Sequence, residues 1–115
     1  MADSAGQSQG GAQGVRGVTS AERDWIDAIL QLGCIVCVRE KLGDSSAEVH
    51  HMLSGGRRMG HMFTLPLCYL HHRSGRDDEQ VTSRDQSQRR FEARYGKEAA
   101  LLVECQGLVG KLEGA

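Results

Sequence analysis

Every histidine of the 115-residue chain lies between His50 and His72. Four of them form the adjacent pairs His50–His51 and His71–His72, and His61 stands between the pairs. Cys68 precedes His71 by three positions, and Cys34 and Cys37 form a C-x2-C pair further upstream. From His50 to Arg76 there are four arginines (Arg57, Arg58, Arg73 and Arg76) and no acidic residue. Thiolates and imidazoles bind transition metals, imidazole titrates near neutrality, and guanidinium groups bind phosphate in a planar fork. The chemistry on offer is therefore metal ligation, proton transfer and anion recognition.

The cysteines decide the first part of that chemistry. Cys34 and Cys37 match the spacing of Cys68 and His71, giving C-x2-C…C-x2-H. Two intervening residues let the backbone curl so that both side chains of a pair reach one ion. Two such pairs complete the tetrahedral set of a structural zinc. A redox C-x-x-C pair is the alternative, but no βαβ pattern surrounds it. Cys105 falls outside the set, on the apolar face of a C-terminal helix, where it reads as a small buried hydrophobe.

With His71 assigned to zinc, His50, His51, His61 and His72 remain. Neighbours on a strand point to opposite faces, and neighbours on a helix diverge by about 100°. Neither adjacent pair is thus a good chelate for one ion, and a division of labour between its members is expected. Imidazoles beside an open metal position and arginines suit phosphodiester hydrolysis, in which a neutral imidazole deprotonates the attacking water. The competing reading is a non-catalytic zinc module that binds nucleic acid or another protein. Such a module needs the four clip ligands but gives no reason for His50, His51 and His72 to occur together.

The elements that must position these residues follow from pattern. Thr19 to Gly33 predicts a helix: Thr19 and Glu22 form a capping box, Trp25, Ile29 and Leu32 share a face, and Gly33 is the stop. "CIVC" leads into a polar connection, then a strand near Glu48–Leu53 and a turn at "SGGRRMG". A second strand spans roughly Met62–Leu67, with Pro66 confining it to an edge. "CYLHHRSG" opens a helix, and "DDEQVTSRDQSQ" reads as a polar linker. "SRDQSQRRFEARYG" and "KEAALLVECQGLVGKL" are two further helices, the second with Leu101, Cys105, Leu108 and Leu112 on one face. The order of knuckle, loop, hairpin and ligand-bearing helix is the layout of a treble-clef zinc module.

Length allows one small domain, over 19–112, in which a metal clip supplements an aromatic-poor core. Residues 1–18 are rich in Gly, Gln and Ser and are expected to form a disordered arm. Net charge is −1, so the local arginine-rich segment, not the total, argues for a phosphate partner. The sequence shows neither the apolar run of a signal peptide nor a membrane span, which predicts a cytoplasmic chain with reduced thiols.

The residues "EVHHML", "GHMFTLPLC" and "CYLHH" resemble the signature of the HNH, or ββα-metal, endonucleases. "HHMLSGGRRMGHMFTLPLCYLHHR" is closer still to the bacteriophage recombination-enhancement (Ref, RecA-dependent nuclease) family. The resemblance covers about Gly33 to Arg73 and implies a small α+β fold. Its ββα core (34–76) would be zinc-bound and flanked by an N-terminal helix (19–33) and C-terminal helices (83–112). It further implies a metal-dependent DNA endonuclease, phage-encoded and acting in recombination with a RecA filament as partner. By resemblance His50 and His72 would bind a catalytic Mg2+, Mn2+ or Zn2+, and His51 would be the general base. His61, in place of the motif's asparagine, would orient that base or add a ligand. Arg57, Arg58 and Arg73 would contact the DNA backbone. The position four residues after His72, where many members carry a further histidine, is Arg76 here; Asp77 or Asp78 would either substitute for that histidine or lie in the expected solvated linker.

Overall fold

The computed structural model describes residues 18–113, so the arm expected over 1–18 lies, except for Val18, outside the described residues. Helix α1 (Ser20–Leu32) begins where Thr19 Oγ1 accepts the Glu22 N–H and Glu22 Oε1 accepts the Thr19 N–H. This reciprocal box satisfies two of the donors that a helix start leaves unpaired. The helix ends at Gly33, whose φ of 79° and ψ of −173° turn the chain into the first cysteine. The knuckle is itself helical: α2 (Ile35–Arg39) follows Cys34 and buries Ile35, Val36 and Cys37. No helix among the described residues is long and apolar enough to cross a membrane.

Two small antiparallel sheets follow. Strand β1 (Glu48–His51) pairs with β4 (Thr64–Leu67) in the register His50 opposite Leu65 and His51 opposite Thr64. Pro66 sits opposite Val49 in this two-stranded sheet, where a missing N–H is tolerated. Between them, β2 (Leu53–Ser54) and β3 (Arg57–Arg58) form a hairpin. Its turn is Gly55–Gly56, with φ values of 60° and 81°. A two-residue turn with both residues at positive φ matches strand twist and selects glycine. Met52 separates β1 from β2, donating its N–H to Phe63 and accepting that of Met59.

Helix α3 (Tyr69–His72) is a single turn that starts at Cys68. The segment after it, expected to be a polar linker, is built into the domain. Val81, Thr82 and Ser83 are buried, Asp77 bridges to Thr82, and Asp78 Oδ1 accepts the N–H groups of Gln80 and Val81. Helix α4 (Gln88–Tyr95) starts later than its pattern suggested, because Ser87 accepts the Arg90 N–H and acts as its cap. Helix α5 (Glu98–Glu113) buries Leu101, Leu102, Cys105 and Val109. The buried stripe therefore passes through Val109, while Leu112 is exposed.

Trp25, Ile29, Ile35, Leu65, Leu67, Phe91 and Leu101 meet in one core that joins α1, α2, β4, α4 and α5. Each such side chain contributes about 1.5–3 kcal/mol on burial. Trp25 adds a polar link, its Nε1–H donating to Thr64 Oγ1 at 2.9 Å. Thr64 Oγ1 in turn donates to the His61 carbonyl at 2.9 Å. The core thereby fixes the loop that carries His61.

Candidate functional site

Among the described residues, two groups of side chains converge closely enough to hold an ion. The first is Cys34, Cys37, Cys68 and His71, all buried. His71 Nδ1 lies 3.7 Å from the sulfurs of Cys34 and Cys37 and 3.1 Å from that of Cys68. Cys37 and Cys68 are 3.9 Å apart, close to the edge of about 3.8 Å for a tetrahedron of Zn–S bonds. Burial pushes the Cys34 thiol up to about 12 and raises that of Cys37, so their thiolates call for a compensating cation. Burial, aided by Arg94, lowers the His71 pKa and leaves the neutral imidazole that ligation requires. These donors fit a metal such as zinc. The residues come from the knuckle and from the start of α3, as the spacing indicated.

The other four histidines form two separate pairs. His50 and His72 meet edge to face with ring centroids 5.3 Å apart. His51 and His61 do the same at 5.2 Å, with His51 Nε2 3.1 Å from His61 Nδ1. The split follows from strand alternation, since adjacent residues of β1 face opposite sides of the sheet. His50 is buried and turned toward α3 and α5, whereas His51 faces the loop before β4. Of the two alternatives for His61, a partner for His51 or a third ligand, the geometry puts it beside His51.

The second potential metal group is His50, His72 and Asp85. Two imidazoles and a carboxylate suit a first-row divalent ion, with coordination positions to spare for water or substrate. Asp85 comes from the segment read as a linker. It arrives there because Arg84 and Asp85 donate their N–H groups to the His71 and His72 carbonyls at 2.8 and 2.9 Å. Those carbonyls are the unpaired end of α3, so the short helix captures the passing chain. Asp77 and Asp78 belong instead to the preceding turn.

Carboxylates back both histidines of this group. His50 Nε2 is 3.0 Å from Glu98 Oε1, and Arg84 Nε donates to Glu98 Oε2 at 2.8 Å. Burial alone would raise the Glu98 carboxyl, but the hydrogen bonds from His50 and Arg84 outweigh it and hold the group below its ordinary value. His72 Nδ1 is 2.8 Å from Glu48 Oε1, and Arg73 grips both oxygens of Glu48 at 2.9 and 2.7 Å. Arg73, then His72, pull the Glu48 carboxyl down to about 2. Sequence reasoning missed Glu48 and Glu98 as partners. Glu48 opens the very strand that bears His50, but Glu98 carries no local signal beyond its place in the first turn of a helix.

The three arginines singled out from sequence occupy different situations. Arg57 and Arg58 are exposed on β3 and make no ion pair among the described residues, and Arg58, after burial, helps to lower the pKa of His51. Arg73 is half-exposed, bound to Glu48, and stacked over the Tyr69 ring at 5.0 Å.

A search of curated proteins returned no relative. The family model described as recombination enhancement, RecA-dependent nuclease matches residues 18–110, from the start of α1 to the last turn of α5. That span includes both ligand groups and both histidine pairs, and on this match the chain belongs to the recombination-enhancement, RecA-dependent nuclease family.

Proposed function

We propose that the chain is a metal-dependent DNA endonuclease of the HNH type, built on a treble-clef zinc module. The observation that carries this reading is the separation of two ligand groups on adjacent residues of α3, with His71 in one and His72 in the other. In this reading Cys34, Cys37, Cys68 and His71 hold a structural zinc, and His50, His72 and Asp85 hold a catalytic divalent ion, Mg2+, Mn2+ or Zn2+. Such an ion, when bound, supplies positive charge for the phosphate and for the departing oxygen. His51 is the general base. Burial, followed by Arg58, His61 and His50, lowers its pKa, which keeps it unprotonated near neutrality. In this role the His51 Nε2–H donates to His61 Nδ1, 3.1 Å away, which leaves the Nδ1 lone pair for the water. Arg57 and Arg58 lie against the DNA backbone, and Arg73 joins them once a phosphate competes with Glu48. These contacts add a sequence-independent, salt-sensitive attraction. The family description supports a RecA filament as the partner, and in this reading the activity is cytoplasmic.

Nicking of DNA with Mg2+ or Mn2+, with and without RecA filaments, tests the reading against His51→Ala. Loss of a general base should cost about 10²–10⁴-fold in rate while zinc content and melting stay unchanged. Cutting by His51→Ala at the wild-type rate refutes the assignment of the base. If no metal and no filament elicits cutting, the chain is a binding module instead.

A further inference from the structure

We propose that Glu98 is a positioning residue that holds His50 in the tautomer with its proton on Nε2, which leaves Nδ1 as the lone pair for an ion shared with His72 and Asp85. The inference rests on the divalent-ion reading above and deepens it by naming what presets the ligand. With Arg84 Nε donating to Oε2, Glu98 sits in an ion pair as the acceptor, so His50 Nε2, 3.0 Å from Oε1, is the nitrogen that carries the proton. Glu98 and His50 are 3% and 5% exposed, so water does not compete for this contact. Arg84, donating to Glu98 Oε2 at 2.8 Å, prevents the carboxylate from turning away.

Stability alone does not account for this trio. A buried carboxylate–guanidinium pair is often no better than apolar side chains of the same volume. The trio does, however, connect two ligands from distant parts of the chain. Glu98 orients His50 on β1, while Arg84 ties the same carboxylate to the residue before Asp85. The N–H groups of Arg84 and Asp85 also pin that segment to the end of α3, beside His72. A ligand histidine whose second nitrogen donates to a carboxylate is fixed in ring orientation and made more basic. The other carboxylate, Glu48, is partly exposed and shared with a surface arginine, so it holds His72 less firmly.

Glu98→Gln separates positioning from packing because the shape is kept. Arg84 only donates, so it claims the amide oxygen and leaves the NH2 facing His50. His50 must then accept at Nε2 and carry its proton on Nδ1, which leaves it no lone pair for an ion. Long-range 1H–15N correlation spectra of the zinc-loaded, Mn2+-free protein should show His50 as the Nε2–H form in wild type and the Nδ1–H form in Glu98→Gln. Mn2+ binding, followed by electron paramagnetic resonance, should weaken by about 10- to 100-fold in the variant with the structural zinc retained. A wild-type His50 protonated on Nδ1 overturns the proposal, and that measurement needs no variant to fold. A Glu98→Gln protein that keeps the Nε2 proton overturns it as well. If the tautomer flips as expected but wild type binds no Mn2+, the positioning role of Glu98 stands and the divalent-ion reading falls.

Discussion

Gly33→Ala should damage the zinc clip from outside its ligand set. The glycine sits at φ 79°, ψ −173°, a region open essentially to glycine alone, where another residue costs about 1–3 kcal/mol. An added Cβ would also lie 2.9 Å from the Ser45 carbonyl oxygen. That oxygen is backbone and cannot swing aside like a side chain, so relief must come from moving the Ser45 segment or Cys34. Cys34 is the next residue and its sulfur belongs to the buried Cys3His group, so the strain reaches the proposed zinc site. Because zinc binding and folding share one free energy, 1–3 kcal/mol appears as roughly 5- to 150-fold weaker zinc binding. In the melt, each kcal/mol should appear as a fall of about 4–8 °C. Competition with a chromophoric chelator and thermal melting of the loaded protein give the two readouts. A Gly33→Ala protein with wild-type zinc affinity and melting temperature would refute the reasoning. It would mean that the turn relaxes without reaching the clip.

Asp85→Asn should weaken Mn2+ binding while zinc content is unchanged, since only one of the two groups loses a charged donor; equal loss of both metals contradicts their independence. Thr64→Val keeps the shape of a buried side chain but strands the Trp25 Nε1–H and releases the His61 carbonyl. It should cost about 1–3 kcal/mol in urea unfolding and slow nicking as well. A stable protein with normal activity would remove the core from the control of His61. Arg76, then the Gln80 and Val81 N–H groups, hold the Asp78 carboxyl at about 2, below its ordinary 3.8. A depressed carboxylate contributes stability that is fully present above about pH 4 and is lost as pH falls through about 2. Asp78→Asn should therefore lower the melting temperature by the same amount at every pH between about 5 and 8. A difference that shrinks inside that window contradicts the assignment.

What was legible in the sequence is what local chemistry specifies. Thr19, Glu22 and Gly33 bound α1 because caps and stops act within four residues of themselves. The convergence of Cys34, Cys37, Cys68 and His71 was legible because their two pairs have the spacing that one ion would impose. The buried reading of Cys105 held for a similar reason, as it shares a helical face with Leu101 and Val109. Helix α2 was not legible: five residues with no side-chain cap carry too little periodicity. Asp85 was hidden for a different reason. Its surroundings are polar, and what orders them is the unpaired end of α3 together with buried Val81, Thr82 and Ser83, all of it tertiary. The split of the histidines into His50–His72 and His51–His61 was half visible. Alternation separates neighbours on a strand, but only the register with β4 decides which imidazole meets which partner.

That register also sets where the chain tolerates a change of length. Glu48, His50 and His51 address three different neighbours from four consecutive residues, so one inserted residue in β1 would exchange the two imidazoles between the sides of the sheet. The hairpin tip at Gly55–Gly56 has open space around it and transmits no such exchange. Homologues and engineered variants should differ in size at that tip, while the spacing from Glu48 to His51 stays invariant.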